Sequence, residues 1–348
     1  METNGHDIEK AHSRASWAGK LLKYGVPPVI TAGLCLLLFK DIDPAEMWHT
    51  IRTECDFRWI WLNILLNIAA HVARAARWQI QLRALDIRPS LWQLTLSIFG
   101  TYAVNLVFPR LGEVWRTGYI AERRRAPFSK VFGSMVAERL SDTIVVGTVS
   151  LLTFLVAGSQ FRAYLDQFPS AAERIAGFAT SPVLWGAFIA VAFTVVWMVF
   201  RHPDNRFVAA GRRLWRGLWE GFSVIAGMPG KGRWLFYTGC LWCCYFTALW
   251  CAFESFPLTA ETLSAHGLTA LLVCFVLTSL SMGVPSNGGI GPYQWAMVFG
   301  LGLYSVPGLT KEYATTFANL VMGVSTAMLI ALGIFTFICI AFSRRNAK

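Results

Sequence analysis

Long apolar runs, separated by short loops that carry most of the charged residues, occupy nearly the whole chain. A run of about 20 apolar residues is long enough to cross the hydrocarbon core of a bilayer as a helix. Composition agrees, since 55% of the 348 residues are hydrophobic and only 15% are charged, and the mean hydropathy is +0.47. This composition excludes a soluble domain. The sequence therefore predicts an all-α, polytopic integral membrane protein.

The distribution of Lys and Arg predicts how the apolar runs cross the membrane. Loops rich in basic residues stay in the cytoplasm, and this rule places both termini there and the protein in the inner cell membrane. No cleavable signal sequence is apparent, so the first run is predicted to remain as an anchor. We expect about six full spans, at 26–39, 59–72, 131–157, 183–200, 234–253 and 313–342.

These spans form one predicted transmembrane domain, 24–343, with cytoplasmic tails at 1–23 and 344–348. The net charge of +11 is spread over loops between apolar runs, so we attribute it to membrane orientation and predict no nucleic-acid partner. A basic amphipathic helix at about 206–228 is expected to lie on the anionic inner leaflet. Three Arg-Trp pairs at segment ends are typical of interfacial anchors: Arg58-Trp59, Arg77-Trp78 and Arg233-Trp234.

Two further apolar segments are predicted to be broken hairpins that enter the membrane and return. Segment 91–108 is short and has basic loops on both sides, so it dips in from the cytoplasm, with a plain crossing as the alternative. Segments 268–284 and 297–304 form the second hairpin, which enters from outside. Its break is too rich in Gly and Pro for a helix, and its key residues are Pro285, Asn287, Gly288, Gly289, Gly291 and Gln294.

The two halves, about 24–157 and 234–343, thus show the same hydropathy pattern in opposite orientations. Each contains a span, a broken hairpin and a second span, and the halves are joined by a span and the amphipathic helix. Paired broken helices of opposite orientation are typical of transporters with inverted repeats, whose binding sites lie near the midplane. The sequence therefore predicts an inverted repeat, although the two halves share no convincing sequence identity.

Charged residues are concentrated between Asn105 and Asp142, against strongly apolar flanks. A charge at bilayer depth costs at least a few kcal/mol, so such residues pair with one another or line a polar cavity. Helical spacing places Glu138 and Asp142 on one face, and Arg139 can reach Asp142 three residues away. A local ion pair that merely neutralises itself is the alternative to a functional role.

A second polar stripe precedes this stretch. Asn63, Asn67, His71 and Arg74 recur at helical spacing and therefore share one face. We expect that face to look into protein or water, with packing against a neighbouring helix as the simpler reading.

The cysteines do not indicate a disulfide framework or a metal site. Most of the eight lie inside apolar runs, where they behave as small hydrophobic residues. Cys240 and Cys243 form a C-x-x-C pair, but no His or carboxylate lies nearby in the sequence to complete a metal site. We predict no metal and no cofactor, and the absence of a P-loop motif argues against ATP hydrolysis by this chain.

Several of these residues also occur as an ordered set that resembles a known family. The set comprises Arg74-x-x-Arg77-Trp78, Asn105, Pro109-Arg110-x-Gly112-Glu113-x-x-Arg116, Ser129-Lys130, Glu138-Arg139-x-x-Asp142 and Gly288-Gly289-x-Gly291. With it, the chain resembles the flippase-like membrane proteins related to the transmembrane region of lysylphosphatidylglycerol synthase.

The resemblance implies an inner-membrane protein that handles a lipid or a lipid-linked headgroup. In the synthase, such a region is linked to moving the aminoacylated lipid across the bilayer, while a separate soluble domain makes that lipid. The largest predicted cytoplasmic loop here, 201–233, is too small for such a domain, so we do not carry the transferase activity over. Relatives often have Glu after the glycines of the second hairpin, where this chain has Gln294.

The leading hypothesis is therefore a flippase-like translocator of a phospholipid or lipid-linked substrate. Guanidinium groups suit phosphate, which favours the arginines of this ordered set as headgroup-binding residues. The expected headgroup-binding residues are these arginines together with Asn105 and Lys130 of the same set: Arg74, Arg77, Asn105, Arg110, Arg116, Lys130 and Arg139. The carboxylates expected to balance charge or couple transport are Glu113, Glu138 and Asp142. No catalytic residue is assigned.

One alternative is the membrane-embedded part of an aminoacyl or glycosyl transferase whose catalytic domain is on a partner chain, with Glu138 or Asp142 as a base. A non-catalytic membrane subunit is the other.

Overall fold

The structure, a computed structural model, describes residues 44–108, 110–167, 227–284, 286–304 and 306–345, together with a few positions between 181 and 193. All regular secondary structure in these residues is helical, which confirms the predicted all-α class. The expected first span at 26–39, most of the span at 183–200, and the amphipathic helix, except for its last residues, lie outside the described residues. So do Pro109 and Pro285.

The main described helices are numbered here in chain order. They are α1 (Pro44–Glu54), α2 (Phe57–Ala84), α3 (Leu91–Val107), α4 (Leu111–Arg124), α5 (Phe128–Gln167), α6 (Lys231–Glu254), α7 (Pro257–Ser281), α8 (Pro292–Gly302) and α9 (Lys311–Arg345).

Five of these helices contain a stretch long and apolar enough to cross a membrane, which confirms a multi-pass membrane protein. Four of them, α2, α5, α6 and α9, contain predicted spans, and the fifth is α7. Helix α3 has only 17 residues, or about 26 Å at 1.5 Å per residue, which is less than the bilayer core of about 30 Å. Its length therefore suits one arm of a hairpin.

The second hairpin differs in its boundaries from the sequence prediction. Helix α7 begins at Pro257, well before the predicted start at 268, although Gly267 (φ 64°, ψ −157°) interrupts it where the predicted arm begins. Polar residues before Gly267 lower the hydropathy of this segment, so the sequence did not predict that it is helical. Helix α8 begins at Pro292, because proline is well accommodated at the first position of a helix. Gln294 therefore lies in the first helical turn rather than in the break.

The packing of the helices follows a two-fold pattern. Helix α2 packs along α6, and the remaining main contacts occur in matched pairs: α2–α3 with α6–α7, α3–α4 with α7–α8, α4–α5 with α8–α9, and α3–α9 with α7–α5. Exchanging α2–α5 for α6–α9 leaves this set of contacts unchanged, whereas the smaller contacts of α2 with α5 and with α9 have no counterpart of similar extent among the described residues. The pattern supports the predicted repeat, and we call the two units the first half (α2–α5) and the second half (α6–α9).

The two halves meet at the tips of their hairpins. The Arg110 guanidinium donates a hydrogen bond from Nη2 to the carbonyl oxygen of Gly283, at 2.9 Å. Gly288 adopts φ 62°, and a Cβ on it would lie 2.6 Å from Cδ2 of Leu106. Only glycine accepts both this conformation and this close approach. The break of each hairpin therefore packs on the break of the other.

Candidate functional site

Two arginines and two carboxylates face each other between α2 and α5. Arg74 and Arg77 lie about one turn apart on α2, as Glu138 and Asp142 do on α5, so each pair presents one face. Arg74 Nη1 lies 3.0 Å from Glu138 Oε1 and 2.8 Å from Asp142 Oδ2. Arg77 Nη2 lies 2.7 Å from Asp142 Oδ1 and 3.3 Å from Glu138 Oε1. The four side chains form one network across the helix pair.

A third arginine joins this network from α4. Arg116 donates from Nη2 to Oε2 of Glu138 at 2.9 Å, so that Glu138 contacts three guanidinium groups. We call Arg74, Arg77, Arg116, Glu138 and Asp142 the buried cluster, because each residue is less than a tenth exposed.

Aromatic rings close the buried cluster on two sides. The Arg116 guanidinium lies 4.6 Å from the ring centre of Trp78, and that of Arg77 lies 5.7 Å from the ring centre of Trp234. Both tryptophans are buried, so the prediction that they are interfacial anchors was wrong. The sequence could have indicated the burial of Trp78, because Trp78 follows Arg74 by four residues and therefore lies on the same helical face.

The buried cluster carries an excess of positive charge. With its groups ionised, three guanidinium groups face two carboxylates. Among the described residues, Nε of each arginine and Nη1 of Arg77 have no hydrogen-bond partner. A buried unpaired donor costs about 1–3 kcal/mol, so these N–H groups favour an anionic acceptor. The arrangement is chemically suited to holding the oxygens of a phosphate.

The cluster also lies well inside its helices. At 1.5 Å per residue, Glu138 is about 15 Å from the first residue of α5, and Arg74 is about 15 Å from the last residue of α2. A charge at such a depth in a membrane is unfavourable unless it is paired. The interhelical network supplies that pairing.

A partly exposed rim of polar residues adjoins the buried cluster. Arg139 Nη2 contacts Glu113 Oε1 at 3.3 Å, and their side chains are 34% and 22% exposed. Asn105 donates to Glu113 at 3.4 Å and accepts a hydrogen bond from the Gly112 N–H at 2.8 Å. Together with Arg110, the side chains of Asn105, Glu113 and Arg139 form what we call the polar rim.

The expected contact between Arg139 and Asp142 is not among the ion pairs of the described residues. Asp142 instead contacts Arg74 and Arg77 on α2, while Arg139 turns toward Glu113 on α4. The reading of a local, self-neutralising pair is therefore wrong, because the ion pairs join different helices.

The polar stripe on α2 packs against the second half. Asn63 donates to the Ala248 carbonyl of α6 at 2.6 Å, and Asn67 donates to the Asn63 carbonyl at 2.9 Å. His71 is buried, with its Nδ1 3.5 Å from the Tyr245 hydroxyl. These contacts agree with the simpler prediction, in which the stripe packs against a neighbouring helix.

The remaining predicted site residues lie outside the buried cluster. Lys130 is exposed and lines a separate cavity. In the second hairpin, a Cβ added to Gly288 would meet Leu106, and one added to Gly289 would meet Met282 and Met322. The Gln294 Oε1 accepts a hydrogen bond from the Gly291 N–H at 2.8 Å, which caps the start of α8.

The described cysteines are all free thiols. Burial raises the pKa of the Cys55 thiol, between α1 and α2, to about 11, so this thiol stays protonated at neutral pH. Within the described residues, no group of three His, Cys, Asp or Glu side chains is placed to hold a metal ion.

Two curated proteins resemble part of the chain. Glycosyltransferase AglD of Haloferax volcanii is 30% identical over 124 residues, which cover 34% of this chain and 20% of that protein. The UPF0104 membrane protein PH1989 of Pyrococcus horikoshii is 28% identical over 132 residues, which cover 37% of this chain and 38% of that protein. The matched part is thus less than two fifths of the length of either relative.

No solved structure matches the chain. The family model of the lysylphosphatidylglycerol synthase transmembrane region matches residues 26–333, nearly the whole chain. The protein therefore belongs to the family of the lysylphosphatidylglycerol synthase transmembrane region.

Proposed function

We propose that this protein moves a phospholipid or a lipid-linked substrate across the inner cell membrane, with both of its termini in the cytoplasm. The observation that carries the proposal is the buried cluster, in which three arginines face two carboxylates and several N–H groups are unbonded. Family membership supports a membrane protein of a lipid-related family. The cluster supplies a chemical reason for a phosphate-bearing headgroup to enter.

In this proposal, the carboxylates act as resident counter-ions. In the structure, Asp142 and Glu138 form ion pairs with the guanidinium groups of the buried cluster. A headgroup phosphate then engages the unbonded N–H groups of Arg74, Arg77 and Arg116 and competes with the carboxylates. Uptake of a proton by a displaced carboxylate would couple binding to the proton gradient.

The polar rim is the proposed path between the cluster and the membrane. Its Glu113–Arg139 pair is partly exposed, and exposed apolar side chains lie close to the rim residues in the sequence. These are Val107, Phe108, Val114, Leu140 and Ile144. A headgroup can follow the rim while its acyl chains stay in contact with these residues and the surrounding lipid. Movement of one hairpin tip against the other would open the path from each side in turn.

The test is movement of labelled phosphatidylglycerol in proteoliposomes. Wild-type protein should increase the fraction of label that a membrane-impermeant reductant removes, and Asp142→Asn should lose this activity. Glu46→Gln makes the matching change at an exposed position on α1 and should behave as wild type. Absence of movement across neutral, anionic and aminoacylated lipids would overturn the proposal.

A second candidate function rests on the similarity to a protein named as a glycosyltransferase. The chain would then be the membrane-embedded part of a lipid-modifying transferase, glycosyl or aminoacyl, whose catalytic domain is on another chain. It predicts product formation only when such a partner and its activated donor are added, and no lipid movement without them. The proteoliposome assay therefore distinguishes the two candidates.

A further inference from the structure

A basic cavity lies apart from the buried cluster, at the end of the first half that is predicted to face the cytoplasm. Its volume is about 280 Å³, and its walls are the turn between α2 and α3 and the turn between α4 and α5. Four basic side chains and one acid line it: Arg88, Arg124, Arg125, Lys130 and Asp86. The volume is near the lower end of the range for small-molecule sites and suits a headgroup rather than a whole lipid.

The walls of this cavity are rigid turns rather than loose loops. Asp86 (φ 61°) and Arg125 (φ 48°) adopt the left-handed conformation that closes a helix. The Ile87 N–H bonds to the Leu82 carbonyl, and the Ala126 N–H bonds to the Ala121 carbonyl, both at 2.9 Å. Leu82, Ile87 and Ala121 are buried in the apolar core of the first half. The basic side chains therefore extend from a fixed frame.

The cavity has charge available for a ligand. The ion pairs seen between two described residues lie in the buried cluster and the polar rim, and none of them involves Arg88, Arg125 or Lys130. Arg124 donates to the Gln93 side chain, which itself caps α3 together with Ser90. Arg124 is thus held in place, while its neighbours can engage an anion.

Exposed apolar side chains follow each turn in the sequence. Leu91 and Trp92 follow the first turn and are 39% and 54% exposed, and Phe128 follows the second and is 45% exposed. Tryptophan and other apolar side chains next to basic residues are typical of the membrane interface. A ligand here would therefore have its anionic part beside guanidinium groups and its apolar part beside the hydrocarbon.

We propose that this cavity binds the phosphate of an anionic phospholipid of the adjacent leaflet, as a site separate from the buried cluster. Arg88, Arg125 and Lys130 contact the phosphate oxygens, and Leu91, Trp92 and Phe128 contact the start of the acyl chains. Binding at this site does not require transport. Its role is to hold an anionic lipid against the first half.

The test is calorimetric binding of short-chain phosphatidylglycerol to the purified protein in an uncharged detergent, with short-chain phosphatidylcholine as the comparison lipid. The cavity variant combines Arg88→Gln with Lys130→Gln. The matched control combines Arg83→Gln with Lys231→Gln, which remove two exposed positive charges outside the cavity lining. Each basic contact near an anionic lipid is worth about 1 kcal/mol, so the cavity variant should bind at least about tenfold more weakly.

The expected result is preference for phosphatidylglycerol in wild type, loss of that preference in the cavity variant, and less than about a twofold change in the control. Equal loss in both double variants would mean general surface charge and would overturn the proposal, as would lack of any preference in wild type. If glycerol 3-phosphate or inorganic phosphate binds as tightly as phosphatidylglycerol, the lipid assignment is overturned and the ligand of the cavity is a soluble anion.

This result is separable from the proposed transport. The cavity variant leaves the buried cluster intact, so the difference in calorimetric lipid binding between it and the matched control does not depend on any measurement of lipid movement. A protein that binds the lipid in the cavity but moves none would contradict the transport proposal alone.

Discussion

The first and second halves have the same order of helices and make matching main contacts, yet the side chains buried in their interiors differ in charge. The first half buries Arg74, Arg77, Arg116, Glu138 and Asp142, whereas the buried polar side chains that the structure describes in the second half are neutral Ser, Thr and Gln. The corresponding interior of the second half is an apolar and aromatic core. One half therefore holds the charges, and its counterpart provides a scaffold against which they are packed.

The difference shows that two halves can share the packing of their helices while burying side chains of different charge and polarity. Phe253, Phe256 and Phe317 pack edge to face in the second half and contribute burial of apolar area. In the first half, Trp78 packs in the apolar core and against the Arg116 guanidinium. We expect substitutions in the first half to affect stability and function more strongly than matched substitutions in the second half.

The largest expected effect is that of Glu138→Gln. This change removes the carboxylate that contacts three buried arginines, and breaking a buried ion pair from one side costs about 3–5 kcal/mol. The comparison change in the second half is Thr278→Val on α7, which removes one buried hydrogen bond to the Cys274 carbonyl and should cost about 1 kcal/mol. Unfolding in detergent measures both, and equal losses would remove the contrast between the halves.

A double variant tests whether that cost arises from leaving the Arg116 guanidinium without its carboxylate partner. Combining Glu138→Gln with Arg116→Met leaves two guanidinium groups and one carboxylate, which preserves the net charge of the cluster. The double variant should be more stable than the sum of the two single effects by about 1–3 kcal/mol. Strictly additive losses would show that the two side chains are not coupled, despite their 2.9 Å contact.

A smaller effect is expected where the tips of the two hairpins touch. Gly288→Ala adds a Cβ at φ 62° and 2.6 Å from Leu106, which should cost about 1–2 kcal/mol. Leu106→Ala should relieve the steric part of this cost in the double variant. Gly323→Ala on α9 is the control, because a Cβ there meets nothing within 4 Å and a helical Gly→Ala change is favourable by up to about 1 kcal/mol. An unchanged free energy of unfolding in Gly288→Ala would exclude the contact between the hairpin tips.

The smallest effect on stability is predicted for the polar rim. Glu113→Gln breaks its pair with Arg139, but both side chains are partly exposed, and such pairs are worth about 0–1 kcal/mol. The variant should therefore unfold near the wild-type temperature, while lipid movement through the rim is slowed. A stability loss as large as that of Glu138→Gln would place Glu113 in the buried cluster instead.

Much of this architecture could be predicted from the sequence because hydropathy is a local signal. Apolar runs located α2, α5, α6 and α9, and the glycines located the second break. The start of α7 at Pro257 was missed because its first turns are mixed in polarity, and the repeated contacts could be seen only in three dimensions. The sequence also could not show that α8 begins at Pro292, so it left Gln294 in the break.

The candidate site was partly visible in the same way. A charge within an apolar run must be paired, so Arg74, Glu138 and Asp142 could be singled out, and helical spacing put the two acids on one face. Their partners could not be chosen, because pairing depends on how helices distant in sequence pack. For the same reason Arg139 was expected to contact Asp142 and instead contacts Glu113, and the packing of Trp234 on Arg77 was not foreseen.

The most direct test of the central claim compares one substitution in each half for lipid movement in proteoliposomes. Arg77→Lys keeps the positive charge of the buried cluster but removes the N–H groups that are left unbonded at Nε and Nη1, and lysine cannot reproduce the planar guanidinium. Thr278→Val removes a buried hydrogen bond of the second half. We predict that Arg77→Lys slows phosphatidylglycerol movement at least about tenfold per folded protein, while Thr278→Val stays within about twofold of wild type. Unchanged movement in Arg77→Lys, or equal slowing in both variants, would contradict the assignment of the headgroup site to the first half.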